Sequence, residues 1–205
     1  MELKKTKPWF IRVILISIYL IIFCNISICQ KITIQTSAGN IEVQLDSKNA
    51  PNTTANFLQY IKDKVYDGAS FYRAVRIDNQ RPDQPHIEVI QGGIDSDSLK
   101  RRAPIELERT TKTGLKHVDG TISMARMTPN SANSEFFICI NDQPALDFGG
   151  TRNPDGQGFA AFGKVTKGMD VVKKIQNEKT TLFAALGLQQ RLVNPIKIEK
   201  IILNN

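Results

Sequence analysis

Short segments in which apolar and polar residues alternate recur along the chain between residues 31 and 203. Residues 31–36 and 40–45 alternate on either side of Ser37-Ala38-Gly39, which is the pattern of a β-hairpin. Further strands are expected where apolar segments are bounded by glycine, proline, asparagine or aspartate, at residues 71–75, 87–91, 121–125, 135–140, 160–165 and 196–203. This series of short strands favours an antiparallel β-protein.

Two segments have helical rather than alternating spacing. The apolar residues Phe57, Leu58 and Ile61 follow Pro51, and this pattern predicts an amphipathic helix that ends near Asp67-Gly68. A second short helix is predicted at residues 169–175. Two helices, roughly eight strands and no interior linker indicate a single domain, built as an antiparallel barrel or sandwich.

The first 29 residues have the composition of a leader that directs export. Four basic residues precede a predominantly apolar run at residues 13–24, which is shorter than the roughly 20 residues that span a bilayer. Ser27 and Cys29 place small residues at the −3 and −1 positions of a cleavage site before Gln30. We therefore expect residues 1–29 to form a signal peptide.

The mature domain would then comprise residues 30–205. The alternative is that the leader stays uncleaved and residues 13–29 anchor the domain to a membrane. Either interpretation places the domain outside the cytoplasm, in the periplasm or secreted, and a membrane partner is expected only if the leader is retained.

Charge and cysteine content exclude several classes of function. The chain has 27 basic and 20 acidic residues, of which the leader holds four and one, leaving 23 basic and 19 acidic residues. Basic and aromatic residues are not interleaved, so no nucleic-acid partner is expected. Cys139 is the one cysteine outside the leader, and because isoleucines flank it we expect it to be buried rather than nucleophilic.

No motif for a nucleophilic, metal-dependent or phosphate-binding enzyme occurs in the sequence. G-x-S-x-G, H-E-x-x-H, C-x-x-C and G-x-x-x-x-G-K-[ST] are all absent. The glycine-rich segment at residues 149–158 lacks the ligand spacing of a calcium loop and is interpreted as consecutive tight turns. We therefore expect no metal and no cofactor.

Several short strings, in a fixed order, resemble one family. They are FYR at 71–73, VIQGG at 89–93, GTISMA at 120–125, NSEFFI at 133–138, FGKV at 162–165 and GMDVV at 168–172. In these strings the chain from Lys31 to Leu203 resembles the cyclophilin family of peptidyl-prolyl cis-trans isomerases. The resemblance implies an all-β fold, a closed eight-stranded antiparallel β-barrel capped by two α-helices, with an active groove on its outer face.

The implied reaction requires no nucleophile. Rotation about an X-Pro amide breaks no covalent bond, and its barrier of about 18–20 kcal/mol comes from the double-bond character of C–N. A fixed cation with N–H donors can stabilise the twisted amide, in which the proline nitrogen regains a lone pair. Arg73 matches the catalytic arginine of the family, and a guanidinium remains charged and rigid.

The resemblance also implies which residues bind the substrate, a proline-containing polypeptide. An apolar pocket would hold the proline ring, and Gln91 would bind the guanidinium of Arg73 or a substrate carbonyl. The expected substrate-binding residues are Phe71, Val89, Gln91, Ala125, Arg126, Met127, Glu135, Phe137, Leu146 and Phe159. We expect the protein to be a monomer.

Several positions depart from the family pattern. Tyr72 stands where many members have histidine, and Glu88 stands where a phenylalanine usually lines the proline pocket. Arg126 and Glu135 are expected to pair across the groove. Because Glu88 and Met127 could impair turnover, a module that binds proline-containing segments without catalysis is the alternative to an isomerase, and dependence of catalysis on Arg73 separates the two. An anchored structural protein is a third possibility that rests on the leader alone.

Residues 180–194 form an additional stretch with several apolar side chains, including Leu182, Phe183, Leu186 and Leu188. The stretch could pack against the barrel or form a partner site. We expect packing, because isolated apolar clusters usually bury themselves.

Overall fold

A computed structural model describes residues 30–95 and 101–204 of the chain. Nine strands are present in these ranges: β1 (Lys31–Thr36), β2 (Gly39–Leu45), β3 (Ser70–Val75), β4 (Val89–Gly93), β5 (Thr121–Met124), β6 (Phe136–Cys139), β7 (Ala160–Lys167), β8 (Thr180–Phe183) and β9 (Leu188–Asn204). The α-helices there are α1 (Pro51–Lys62), α2 (Thr110–Thr113) and α3 (Met169–Gln176). The predicted leader lies outside the described residues.

Eight of the strands close into an antiparallel barrel. Their order is β1-β2-β7-β5-β6-β4-β3-β9, and β9 pairs back to β1, with Lys31 opposite Asn204. Closure leaves no unpaired edge among these eight strands, which satisfies their backbone hydrogen-bonding groups. The expected barrel of eight strands is therefore confirmed. The ninth strand, β8, pairs only with β9 and extends outside the closed ring.

The barrel interior holds the main hydrophobic core. Alternation on the strands directs residues such as Ile32, Ile90 and Ile138 inward, and all three are fully buried. Helix α1 adds Phe57, whose ring meets Phe136 edge to face with 5.3 Å between the ring centroids. Helix α3 adds Val172 and Ile175 to the same core. The two longer helices thus bury their apolar faces against the barrel.

Several of the described elements have other bounds than the sequence predicted, and the short helix α2 was not predicted. Helix α1 ends at Lys62, because Lys64 adopts a left-handed backbone (φ 54°) that cannot continue the helix. Strand β4 begins at Val89, two residues later than expected. The closing strand begins at Leu188, so the stretch at residues 180–194 is a β-hairpin. None of the helices described is long and apolar enough to cross a membrane.

Candidate active site

A groove of about 540 Å³ lies on the outer side of the barrel. The register of the sheet places three of its residues in one row, with Arg73 on β3 opposite Gln91 on β4, and Gln91 opposite Phe137 on β6. Side chains directly opposite in neighbouring antiparallel strands lie about 5 Å apart at Cβ. The groove is lined by Arg73 and by nine of the ten residues expected to bind substrate, Val89, Gln91, Ala125, Arg126, Met127, Glu135, Phe137, Leu146 and Phe159.

Phe71 is the exception, and the prediction that it contacts substrate is wrong. In a regular strand Phe71 and Arg73 would share one face, because side chains alternate with a period of two. A β-bulge between them shifts the register, so that Phe71 opposes Gly92 while Arg73 opposes Gln91. The Phe71 ring is fully buried in the barrel core, 5.6 Å from the ring of Phe136.

One end of the groove has an apolar floor that is separate from the barrel core. Ile87, Val89, Phe137, Leu146 and Phe159 form this floor, and each is at most 9% exposed. The rings of Phe137 and Phe159 meet at 90° with centroids 5.4 Å apart, a favourable edge-to-face arrangement. The floor offers an apolar recess of the kind that a proline ring requires.

Arg73 lies beside this floor with its guanidinium fixed by two side-chain amides. Its Nη1 donates to Oε1 of Gln91 at 2.7 Å, and its Nε and Nη2 donate to Oε1 of Gln190 at 3.0 and 2.7 Å. No carboxylate in residues 30–95 or 101–204 pairs with it. Burial, and then the charge of Arg152, lower the pKa of Arg73 to about 10, so the group is still protonated at neutral pH.

The amide of Gln91 is oriented by a hydrogen-bonded series behind it. Its Nε2 donates to the Tyr72 hydroxyl at 2.7 Å, and that hydroxyl donates to Oε2 of Glu135 at 2.6 Å. Burial, and then the charge of Glu135, raise the pKa of Tyr72, which keeps the hydroxyl protonated. Burial also raises the pKa of Glu135, although Tyr72 and Ser134 donate hydrogen bonds to it. Because Nε2 of Gln91 is bound to Tyr72, Oε1 of Gln91 is oriented to accept the hydrogen bond from Arg73.

Arg126 and Glu135 do not pair across the groove, contrary to expectation. Arg126 instead forms a two-point ion pair with Asp155, with N–O distances of 2.7 and 2.9 Å, and its Nε donates to the carbonyl of Gly158. Its guanidinium carbon lies 5.1 Å from the centre of the Phe159 ring. Arg126 therefore packs against Phe159 at the edge of the apolar floor. Met127 beside it is 86% exposed.

Glu88 does not face the groove, where it was expected to line a proline pocket. Its carboxylate accepts hydrogen bonds from Asn141 at 2.8 Å and from Gln176 at 3.5 Å, and it is not among the groove residues. The neighbouring Ile87 is turned into the apolar floor instead. Adjacent side chains of an extended chain point in opposite directions. The prediction aligned Glu88 with the family's pocket-lining position, and an error of one residue in that alignment is sufficient to exchange Glu88 with Ile87.

The sequence did not reveal several residues at the groove. Its lining also includes Ile87, Arg101, Ser131, Asn133, Arg152 and Asn153, and Gln190 holds Arg73. Gln190 lies 117 positions from Arg73 in the chain and belongs to no string shared with the family. Its region did give one signal, the apolar stretch that was expected to pack. In the structure Phe183 and Leu186 of that stretch line the groove, whereas Leu182 is 53% exposed.

Two groups that could suggest nucleophilic chemistry are enclosed by protein. Cys139 is fully buried, and burial raises the pKa of its thiol. His117 has Nδ1 2.8 Å from Oδ1 of Asp147 and Nε2 2.9 Å from Oγ of Ser123, but the serine has no exposed surface. The His117 ring stacks against Phe137, so this series supports the apolar floor from behind. No group of potential metal ligands is found in the described residues.

Known proteins resemble this chain in sequence and in fold. A sequence model for the cyclophilin type peptidyl-prolyl cis-trans isomerase/CLD family matches residues 31–202. The chain is 34% identical over 169 residues to a peptidyl-prolyl cis-trans isomerase of Acinetobacter baylyi, covering 82% of this chain and 81% of the relative. It is 37% identical over 150 residues to peptidyl-prolyl cis-trans isomerase A of Dickeya dadantii, covering 73% and 72%.

Among solved structures, the fold is similar to a cyclophilin type peptidyl-prolyl cis-trans isomerase of Cryptosporidium parvum, crystallised in the presence of the dipeptide Ala-Pro. The TM-score is 0.68 at 21% identity, and the match covers 86% of this chain and 99% of that chain.

Proposed function

This chain belongs to the cyclophilin-type family of peptidyl-prolyl cis-trans isomerases, and we propose that it assists the folding of exported proteins by isomerising their X-Pro bonds, with Arg73 as the catalytic residue. The observation that carries this assignment is the Arg73 guanidinium, which is held by neutral amides beside an apolar floor. Its charge is not cancelled by a carboxylate among the residues described, and it is therefore available to a substrate.

The proposed chemistry is electrostatic and does not involve a covalent intermediate. The proline ring occupies the floor formed by Phe137, Leu146 and Val89, which holds one side of the amide while the preceding residue rotates. In the twisted state the proline nitrogen becomes pyramidal and carries a lone pair, to which a guanidinium N–H can donate. Because the planar ground state lacks that lone pair, Arg73 binds the transition state more strongly than the substrate.

Proline-containing polypeptides are the proposed substrates. The relative from Cryptosporidium parvum was crystallised in the presence of Ala-Pro, and the groove described above has an apolar recess beside a cation. The alternative of a binding module without turnover depended on Glu88 and Met127. Glu88 is bound to Asn141 and Gln176 outside the groove, so Glu88 no longer gives a reason for doubting turnover. Met127 lines the groove and is 86% exposed, and the exchange measurement below tests its effect on turnover.

Magnetisation exchange between the cis and trans forms of an Ala-Pro peptide tests the catalytic proposal. We expect residues 30–205 to accelerate exchange and the Arg73→Ala variant to lose at least about 100-fold of the acceleration, as is typical when one transition-state donor is removed. A folded Arg73→Ala variant that retains full acceleration would contradict the role of Arg73. Binding of the peptide without exchange by the wild type would support the binding module.

Export is proposed from the leader sequence. The basic residues, the apolar run at 13–24 and the small residues before Gln30 support cleavage between Cys29 and Gln30. Expression of the full chain in a secreting host, followed by N-terminal sequencing, tests this. A mature protein starting at Gln30 is expected, and a membrane-bound product that retains residues 13–29 would support the anchor instead.

A further inference from the structure

The hairpin formed by β8 and the start of β9 adds a wall to the groove beyond the closed barrel. Phe183 and Leu186 line the groove from this hairpin. In the sheet, the backbone of Arg73 on β3 lies opposite that of Arg191 on β9. The guanidinium carbon of Arg73 lies 6.0 Å from the centre of the Phe183 ring. The hairpin therefore adjoins the proposed catalytic residue on the side opposite Gln91.

Gln190 is the residue of this hairpin that contacts Arg73 most directly. It is fully buried, and its Oε1 accepts hydrogen bonds from both Nε and Nη2 of Arg73. Its Nε2 donates to the carbonyl of Asn79 at 2.9 Å, which fixes the orientation of the amide. Gln91 holds the remaining terminal nitrogen, Nη1, so the guanidinium is restrained on two sides.

A neutral acceptor is suited to this position. A buried carboxylate would form an ion pair with Arg73 and offset the charge that a substrate amide is proposed to use. The amide of Gln190 accepts the same two hydrogen bonds without a negative charge, and both of its polar atoms are satisfied. The geometry thus combines a fixed guanidinium with an uncancelled charge.

The hairpin has attachments that do not depend on Gln190. Arg191 forms an ion pair with Asp95, Asn79 Nδ2 donates to the carbonyl of Gln189 at 3.1 Å, and Arg76 Nη2 donates to Thr180 Oγ1 at 3.1 Å. Substitution of Gln190 should therefore leave the hairpin in place while removing two hydrogen bonds from Arg73.

We propose that Gln190 is a positioning residue for Arg73, which the β8–β9 hairpin supplies to hold the guanidinium in the orientation needed by a twisted X-Pro amide. This proposal rests on the proposed isomerase function. Gln190 acts on the rate of rotation through Arg73, whereas affinity for the proline ring depends on the separate apolar floor.

The first test compares Gln190→Leu with the wild type and with Gln189→Leu, which alters the exposed neighbouring residue of the same strand. NMR line shapes of an Ala-Pro peptide titrated with protein give the affinity and the exchange rate in the complex. For Gln190→Leu we expect a rate about 10- to 100-fold lower with affinity within about threefold, since loss of orientation reduces the rate of the chemical step. Gln189→Leu should match the wild type in both.

A spectroscopic measurement reports the position of Arg73 directly. The Nε–Hε resonance of Arg73 should shift and broaden in Gln190→Leu and remain unchanged in Gln189→Leu, because Nε donates to Gln190. If Gln190→Leu does not fold, Gln190→Asn, whose amide is one methylene shorter and cannot reach both nitrogens, replaces it with the same expectations.

A double-mutant cycle separates action through Arg73 from a general structural effect. In an Arg73→Lys background, which lacks the forked guanidinium, Gln190→Leu should reduce the rate by less than about threefold. An equal loss in both backgrounds would overturn the proposal, as would an unchanged rate in folded Gln190→Leu. If that variant is unaffected while Arg73→Ala is inactive, the isomerase function stands without the positioning role. If Arg73→Ala is fully active, the role of Arg73 fails and the positioning role fails with it. If the wild type binds the peptide without accelerating exchange, the proposed isomerase function itself fails.

Discussion

The hydroxyl of Tyr72 donates a 2.6 Å hydrogen bond to Oε2 of Glu135. Gly93 makes room for this contact, because a Cβ at that position would lie 2.5 Å from the same carboxylate oxygen. The pair is the distal end of the series that orients Gln91 and, through it, Arg73. A tyrosine at the position where many family members have histidine therefore has a defined role in the site of this chain.

Replacing Tyr72 by phenylalanine removes the middle of this series. Nε2 of Gln91 loses its acceptor, and a buried polar group left unpaired costs about 1–3 kcal/mol. We expect a three- to tenfold lower isomerisation rate, about 0.7–1.4 kcal/mol, with substrate affinity unchanged, measured by NMR line shapes on an Ala-Pro peptide. An unaltered rate would mean that Gln91 is oriented without Tyr72.

Phe137 and its neighbour Phe136 allow binding to be separated from folding. Phe137 lies in the groove, whereas Phe136 is buried in the barrel core. Phe137→Leu should raise the KM for an X-Pro substrate about five- to twentyfold, since lost apolar contact in a pocket costs about 1–3 kcal/mol. Phe136→Leu should lower the free energy of unfolding and leave KM unchanged. Equal effects on KM would argue against a proline pocket at Phe137.

Glu88 provides a test of where the pocket wall lies. Its carboxylate bonds to Asn141 and Gln176 rather than facing substrate. Glu88→Gln should therefore leave kcat/KM within about twofold of the wild type, because the substitution changes no contact with the substrate in either its ground state or its transition state. Ile87→Glu is the matched comparison that places a carboxylate in the apolar floor, and it should raise KM strongly. A large gain in affinity from Glu88→Gln would show that the carboxylate does face the pocket.

The Arg126–Asp155 ion pair should contribute a pH-dependent part of the stability. The hydrogen bonds from Arg126, followed by the backbone N–H of Gln157, lower the pKa of Asp155 to about 2. Because the ordinary aspartate pKa is about 3.9, the contribution is complete above about pH 4 and is lost as the pH falls through about 2. Since Asp155 is accessible to solvent, Asp155→Asn should reduce the free energy of unfolding at pH 7 by about 0.5–1 kcal/mol.

Urea denaturation of the two proteins at several pH values measures this contribution. The difference between wild type and Asp155→Asn should shrink as the pH is lowered from 4 toward 2. A difference that stays constant over that interval would contradict an ionic contribution from the pair.

Gly92 permits the close approach of β3 to β4 beside the bulge that turns Arg73 toward the groove. A Cβ on Gly92 would lie 2.9 Å from Cδ1 of Phe71 and 3.0 Å from the carbonyl oxygen of Ser70. Gly92→Ala should destabilise the fold by about 1–3 kcal/mol, as overpacking does, and should slow isomerisation because β3 carries Arg73. Gly187→Asn, in open space at a left-handed position that asparagine tolerates, should change thermal stability little. Equal melting temperatures for Gly92→Ala and wild type would contradict the predicted clash.

Local pattern was sufficient to predict much of the barrel. Alternation marked the strands because one face of each is buried, and the Phe-Tyr-Arg and Gln-Gly-Gly strings identified Arg73 and Gln91, which the sheet register then placed opposite each other. Phe137, which lies in one of the family strings, and Leu146, which the family resemblance implied, line the same groove. These features depend on near neighbours in the sequence or on matched strings.

The tertiary structure decided which way individual side chains point and which residue distant in the sequence binds Arg73. The side chain of Phe71 points into the core because a β-bulge interrupts the alternation of side chains on β3. Ile87, and not the predicted Glu88, points into the groove, because a shift of one residue reverses the two faces of an extended segment. Gln190 reached Arg73 because barrel closure brings β9 beside β3, across 117 positions of sequence. The sequence by itself determined most of the strands and identified the proposed catalytic arginine and its partner Gln91. Its second partner, Gln190, depends on non-local strand pairing, which no local pattern encodes.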